Sequence, residues 1–198
     1  MNKQETRGFV AREKICLATV RCLAELGYAE TTIQRVVDRA EVSKGALQHH
    51  FPTKEDLMTA TAERILQNAT FMPEVVRRNP NKKRDVAREI MNTWLKLVDT
   101  DEYRALLEIL VAIRTDEALQ QRLSPILKRW NRQRVEESVE MYKSVDKNDK
   151  YLAQLMTLNT CMMRGLVIQD QYNDDPGENL QLMKTWVDLL SPLLAART

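Results

Sequence analysis

Residues 31–57, TTIQRVVDRAEVSKGALQHHFPTKEDL, place three helix starts in quick succession, at Thr31 or Thr32, at Ser43 and at Thr53. No other feature constrains the fold as tightly. Helices this short are marginal alone in water and persist only with an apolar face packed on neighbours. The inner faces are legible. Ile33, Val36, Val37 and Ala40 recur at helical spacing on the first, and Leu47 and Phe51 stand four residues apart on the next. Pro52 stops that second helix, and Thr53 opens another with Glu55 and Asp56 in its first turn, where the helix dipole favours acids. Two short helices meeting at a tight corner, the second offering polar side chains outward, form the layout of a helix-turn-helix.

The rest of the chain carries helix punctuation and no strand alternation. Ile15, Ala18, Thr19, Cys22, Leu23 and Leu26 give a first helix one apolar stripe, closed at Gly27 by a left-handed cap. Pro73 breaks the fourth helix or its tail, and RRNPNKKRD, residues 77–85, reads as a connection. Apolar-periodic runs follow around Met91, Trp94, Leu95 and Val98, then Tyr103, Leu106, Leu107, Leu110 and Val111. A long segment over 117–145 is expected to kink at Pro125, and final helices near 150–171 and 178–194 are joined by NDDPG. The expected fold is all-α: an N-terminal three-helix helix-turn-helix domain over residues 1–54 and a larger helical body over 55–198.

Bulk charge does not reveal the nucleic-acid end. The net charge is +2, and the first 64 residues carry ten Lys/Arg against nine Asp/Glu, so DNA affinity must come from local arrangement. Cys16, Cys22 and Cys161 form no CxxC pair and read as small buried hydrophobes in a reduced, cytoplasmic protein. The N-terminus MNKQETRGFV has no apolar stretch long enough for a signal peptide. The most apolar segment, 151–168, contains Gln154, Asn159 and Arg164, against a membrane span. No ExxH, nucleophile elbow or phosphate loop occurs, so no catalytic residues and no cofactor are expected. His49 and His50 are neighbours about 100° apart on a helix and cannot chelate a metal together.

The third helix carries the chemistry. With Leu47 and Phe51 turned inward, Lys44, Gln48 and His49 face the major groove. Lys44 can neutralise a phosphate or donate to guanine, and Gln48 can pair with adenine. Gly45 permits close backbone approach, and helix-start amides suit a phosphate. Thr32 and Lys54, at the starts of the flanking helices, are expected to clamp phosphates. For His50 two roles stand open, a phosphate contact and a partly buried histidine bonded to backbone.

Residues 12–57, with the pattern R-x-x-I…L-A-E-L-G-Y…T-T-I-x-x-V…A-x-V-S-K-G-A-L-x-H-H-F-x-x-K-E-x-L, resemble the N-terminal domain of the TetR (tetracycline-repressor-like) family. The resemblance implies a homodimeric, ligand-responsive transcriptional regulator, usually a repressor, bound to a palindromic double-stranded operator. By position it implies DNA contacts from Thr32, Lys44, Gly45, Gln48, His50 and Lys54. The chain departs from the pattern at Gln48, where the family usually has tyrosine, at Glu41, which replaces the turn glycine, and at Val37, where alanine is more usual.

For the body the resemblance implies a pocket for a small apolar or amphipathic effector and a dimer formed by the last two helices. Trp94, Tyr103, Leu107, Trp130 and Met163 are the expected pocket residues, with Arg104, Asn159 or Arg164 supplying a polar contact. Leu155, Met156, Met162, Met163, Leu166, Met183, Trp186, Val187 and Leu190 are the candidate dimer face; the alternative is that they close the monomer's own core. A transcriptional activator, and a ligand-independent architectural DNA-binding protein of the same fold, are the competing readings.

Overall fold

The computed structural model describes residues 3–69 and 84–197, and their fold is all-α. Pro73 and most of the 77–85 connection lie outside the described residues. Helices α1 (Lys3–Glu30), α2 (Ile33–Ala40), α3 (Lys44–His50) and α4 (Lys54–Ala69) come first. They are followed by α5 (Val86–Thr93), a π-turn (Trp94–Val98), α6 (Asp101–Ala112), α7 (Glu117–Met141), α8 (Asp149–Gln169) and α9 (Glu178–Leu190). Strands β1 (Tyr142–Ser144) and β2 (Leu194–Ala196) pair antiparallel, Tyr142 opposite Ala196, an element that hydropathy alternation did not announce. The chain divides into two compact units, Met1–Asn68 with Asp101–Leu127, and Ala69–Thr100 with Lys128–Thr198.

In the first unit, caps set the corners. Thr32 accepts the Arg35 amide at 3.3 Å, Ser43 accepts the Ala46 amide at 3.1 Å, and Thr53 and Asp56 cap each other's backbone amides at 3.1 Å. A core of Ile15, Ala18, Cys22, Val36, Val37, Ala40, Leu47, Phe51, Leu57 and Ala60 fills the space between the four helices. Cys16 and Val20 are buried beside the expected stripe: Cys16 belongs to this same core, and Val20 is buried on a helix that α6 packs along. Leu26, expected inside, is 40% exposed.

Gly27 is not the left-handed cap expected. Its φ of 78° and ψ of 173° lie in a region closed to side chains, and it breaks the helical path inside α1. A Cβ there would meet a Glu108 carboxylate oxygen at 3.1 Å. The inverse situation occurs at the corner of α2, where Glu41 takes φ 49°, ψ 46° with no glycine to relieve it.

In the second unit, Leu155, Met163, Leu166, Met183, Val187 and Leu190 are all buried within this chain. The candidate dimer face therefore needs correcting: these six close the unit's own core. The apolar surface left outside is a different set. Leu158, Ile168 and Tyr172 at the α8 end and Leu182, Leu189 and Leu193 at the α9 end are exposed. Cys161 is exposed too, contrary to expectation, while Cys16 and Cys22 are buried. α7 is one helix with Pro125 inside it, and the boundary between the units falls two residues later. Among the described residues no helix is long and apolar enough to cross a membrane.

Gly27→Ala should lose about 1–3 kcal/mol of stability, the cost of a side chain in that backbone region. Glu41→Gly should gain about 0.5–1 kcal/mol by removing left-handed strain, since the exposed ion pair it gives up contributes little. Thermal unfolding of both variants checks this, with opposite shifts in Tm expected.

Candidate nucleic-acid interface

α3 is positioned by its buried side. Leu47 is 0% and Phe51 2% exposed, and the Phe51 amide closes the helix on the Leu47 carbonyl at 2.8 Å. That anchoring leaves Lys44, Gly45, Gln48 and His49 exposed together on the outer face. No described atom lies within 4 Å of where a Gly45 Cβ would stand, so the closeness that glycine permits faces outward. Thr32 is exposed beside this face, and its hydroxyl, while accepting the Arg35 amide, keeps its own proton for an outside acceptor.

Of its two open roles His50 takes the partly buried position, and Lys54 is placed differently from expectation. The His50 ring turns toward α1, with its Cε1 3.8 Å from a Cβ position on Gly8, and it stands edge-on to His49 at 5.3 Å. Burial first, then the His49 and Arg12 charges, hold the His50 pKa below its ordinary value, so it is neutral at neutral pH. Lys54 folds back onto α1. Its Nζ donates to the Tyr28 carbonyl at 3.0 Å and lies 4.3 Å from the Tyr28 ring centroid, with burial lowering its pKa.

Sequence reasoning missed the contribution of α1. Arg12 stacks over the Phe51 ring at 4.9 Å, and Lys14 pairs with Glu41 at 3.2 Å. A shallow groove lined by Thr6, Arg7, Val10, Ala11, Lys14 and Val42 runs along this edge. The available signal was the seven-residue spacing of Arg7 and Lys14, which places both on one side of a helix. Other head cations are taken up internally: Arg35 by Glu30 at 2.7 Å, Arg39 by Glu25 at 2.5 Å and Arg64 by Glu13 at 2.9 Å.

A polar cluster joins the head to α6 and α7 inside the first unit. The Tyr28 amide donates to Glu108 at 2.9 Å, and the Tyr28 hydroxyl donates to Asp116 at 2.8 Å. Burial and the Asp116 carboxylate both push the Tyr28 phenol pKa upward, which keeps it a donor. Arg122 pairs with Asp56.

The expected pocket residues are all buried, Tyr103 and Leu107 in the first unit and Trp94, Trp130 and Met163 in the second. The Trp130 indole N–H has no partner among the described residues, and Arg134 lies 4.9 Å over its ring. Asn159 is already engaged, accepting the Trp186 indole N–H at 2.8 Å, and Arg104 pairs with Asp101 at 3.5 Å.

Residues 15–61 match the model of the bacterial regulatory proteins of the tetR family. The HTH-type transcriptional regulator CymR of Pseudomonas putida is 27% identical over 175 residues, 87% of this chain and 85% of that one. A transcriptional regulator from Rhodococcus has a similar solved structure, with TM-score 0.70 and 18% identity over 90% of this chain and 95% of the other. Another, from Saccharomonospora viridis in complex with choline, has TM-score 0.65 and 17% identity over 90% and 93%. The matched segment is the one that holds the caps, the buried face and the exposed α3, and it is similar to the helix-turn-helix of the tetR family of bacterial regulatory proteins.

Proposed function

We propose that the protein is a ligand-responsive homodimeric repressor, released from a palindromic operator by a small apolar or amphipathic molecule in the cytoplasm. One observation carries the reading. α3 is locked by Leu47 and Phe51 while Lys44, Gln48 and His49 stand exposed on one face. Lys44 and Gln48 read bases or phosphate there, Gly45 lets the backbone approach, and Thr32 donates to a flanking phosphate. Residues 1–54 do the reading; residues 55–198 bind effector and partner. No catalytic role, metal or cofactor is proposed.

The dimer reading draws support from the spacing of exposed apolar residues. Leu158, Cys161, Gly165 and Ile168 alternate at three and four residues along α8, and Leu182 and Leu189 stand two turns apart on α9. A dimer on a palindromic operator presents two recognition helices about one DNA turn, ~34 Å, or a multiple, apart.

The effector reading draws support from Trp130, whose buried N–H is suited to an acceptor on the ligand, and from the choline-bound regulator of the same fold. Trp94 and Met163, buried in the same unit as Trp130, supply apolar wall there. Tyr103 and Leu107 sit on α6 beside Glu108, so an effector touching them acts on the helix that holds Tyr28. A coupling of about 1–3 kcal/mol between the two sites is enough to release the operator.

In a mobility shift with DNA flanking the protein's own gene, wild type should give a discrete, competitor-resistant complex. Lys44→Ala/Gln48→Ala should abolish it. A smear equal for both proteins and erased by modest salt would favour the architectural alternative. Leu158→Arg/Leu189→Arg should sediment as a folded monomer, because like charges facing each other in an apolar interface cost several kcal/mol. A stable dimer of that variant would exclude this face.

A further inference from the structure

Glu41 is anomalous three times over. It holds a left-handed conformation without being glycine, it carries a negative charge two residues before the Ser43 cap of α3, and it engages a cation on another helix. Its carboxylate meets Lys14 at 3.2 Å, and neither side chain is buried, at 81% and 48% exposure. So open a pair contributes little to stability. Its consequence lies in the field it creates at the mouth of the recognition helix, well inside the ~8–10 Å screening length of physiological salt.

We propose that Glu41 attenuates phosphate binding: it occupies Lys14 and so removes one cation that would otherwise join the DNA backbone contact. The proposal rests on the DNA-binding reading of α3. Lys14 and Arg7 lie two turns apart on the α1 edge that lines the groove with Val42, next to Glu41. With the Glu41 charge absent, Lys14 and Arg7 form a cationic edge on α1, and Lys44 follows three residues beyond Glu41 at the start of α3. With that charge present, Lys14 is matched by a carboxylate. Phosphate contacts carry no sequence information, so the attenuation lowers binding to every duplex about equally and leaves discrimination to Lys44, Gln48 and His49.

The test uses the full-length protein, two duplexes and a salt series. One duplex is of random sequence; the other is the sequence that wild type enriches from a random pool. Glu41→Gln keeps the side-chain length and the backbone strain while removing the charge. It should tighten binding to both duplexes by a similar factor, about three- to tenfold at low salt, and steepen log K against log salt by about 0.9 per head. Lys14→Gln alone should change little, while in the Glu41→Gln background it should cancel the gain. An unchanged slope in Glu41→Gln, or a gain that survives Lys14→Gln, overturns the proposal. Failure of wild type to enrich any sequence would instead count against the DNA-reading assignment, and the random duplex would still decide the role of Glu41.

Discussion

The turn at Gly27 and Tyr28 is the constraint on which the first unit depends. Glycine's access to φ 78°, ψ 173° lets the chain leave the α1 path at that point and presents the next amide to Glu108. Tyr28 then gathers groups that would each be costly alone. Its amide satisfies Glu108, its hydroxyl satisfies Asp116, its carbonyl accepts Lys54, and its ring faces the same ammonium. Carboxylates and an ammonium that are partly withdrawn from water lose hydration, and they are tolerable because each is met by a bond of good geometry. The cluster ties α1 and the start of α4 to α6 and α7.

Charge pairing explains why a DNA-binding head can be almost neutral. Arg35, Arg39, Arg64 and Lys14 are each matched to a carboxylate of the same head. Lys54, half-buried on Tyr28, is held by the fold as well. What remains exposed on α3 is Lys44 with Gln48 and with His49, whose ring meets only that of His50 among the described residues; on the proposed reading this surface suits discriminating bases more than gripping phosphates.

Much of the head was legible because its rules are local. The Ser43 and Thr32 caps, the buried Leu47 and Phe51, and the exposed Lys44 and Gln48 all follow from residues within one helical turn of each other. Glu41 at positive φ followed as well, from a glycine missing where a turn needed one. What failed to show in the sequence depends on distant partners. Val20 lies off the single stripe read for α1, yet it is buried on a helix that packs along α6, some eighty residues on. Lys54 reads as a free cation until Tyr28 supplies both a carbonyl and a ring. Apolar residues of α8 and α9 read as one surplus, whereas packing divides them into a core set and a surface set only one helical step apart.

On the proposed ligand response, the same cluster explains why a small displacement has a discrete effect. Hydrogen bonds weaken steeply as geometry is lost, so α6 cannot slide past Tyr28 by degrees. It either carries the turn with it or forfeits the bonds to Glu108 and Asp116. Each such charge-assisted bond is worth roughly 1.5–3 kcal/mol, the size of a typical coupling energy between sites. An effector that favours a shifted α6 by that amount need not unfold anything or reach α3 directly. It needs only to make one arrangement of the Tyr28 cluster cheaper than the other, and α1 and α4, bound to that residue, reorient the head.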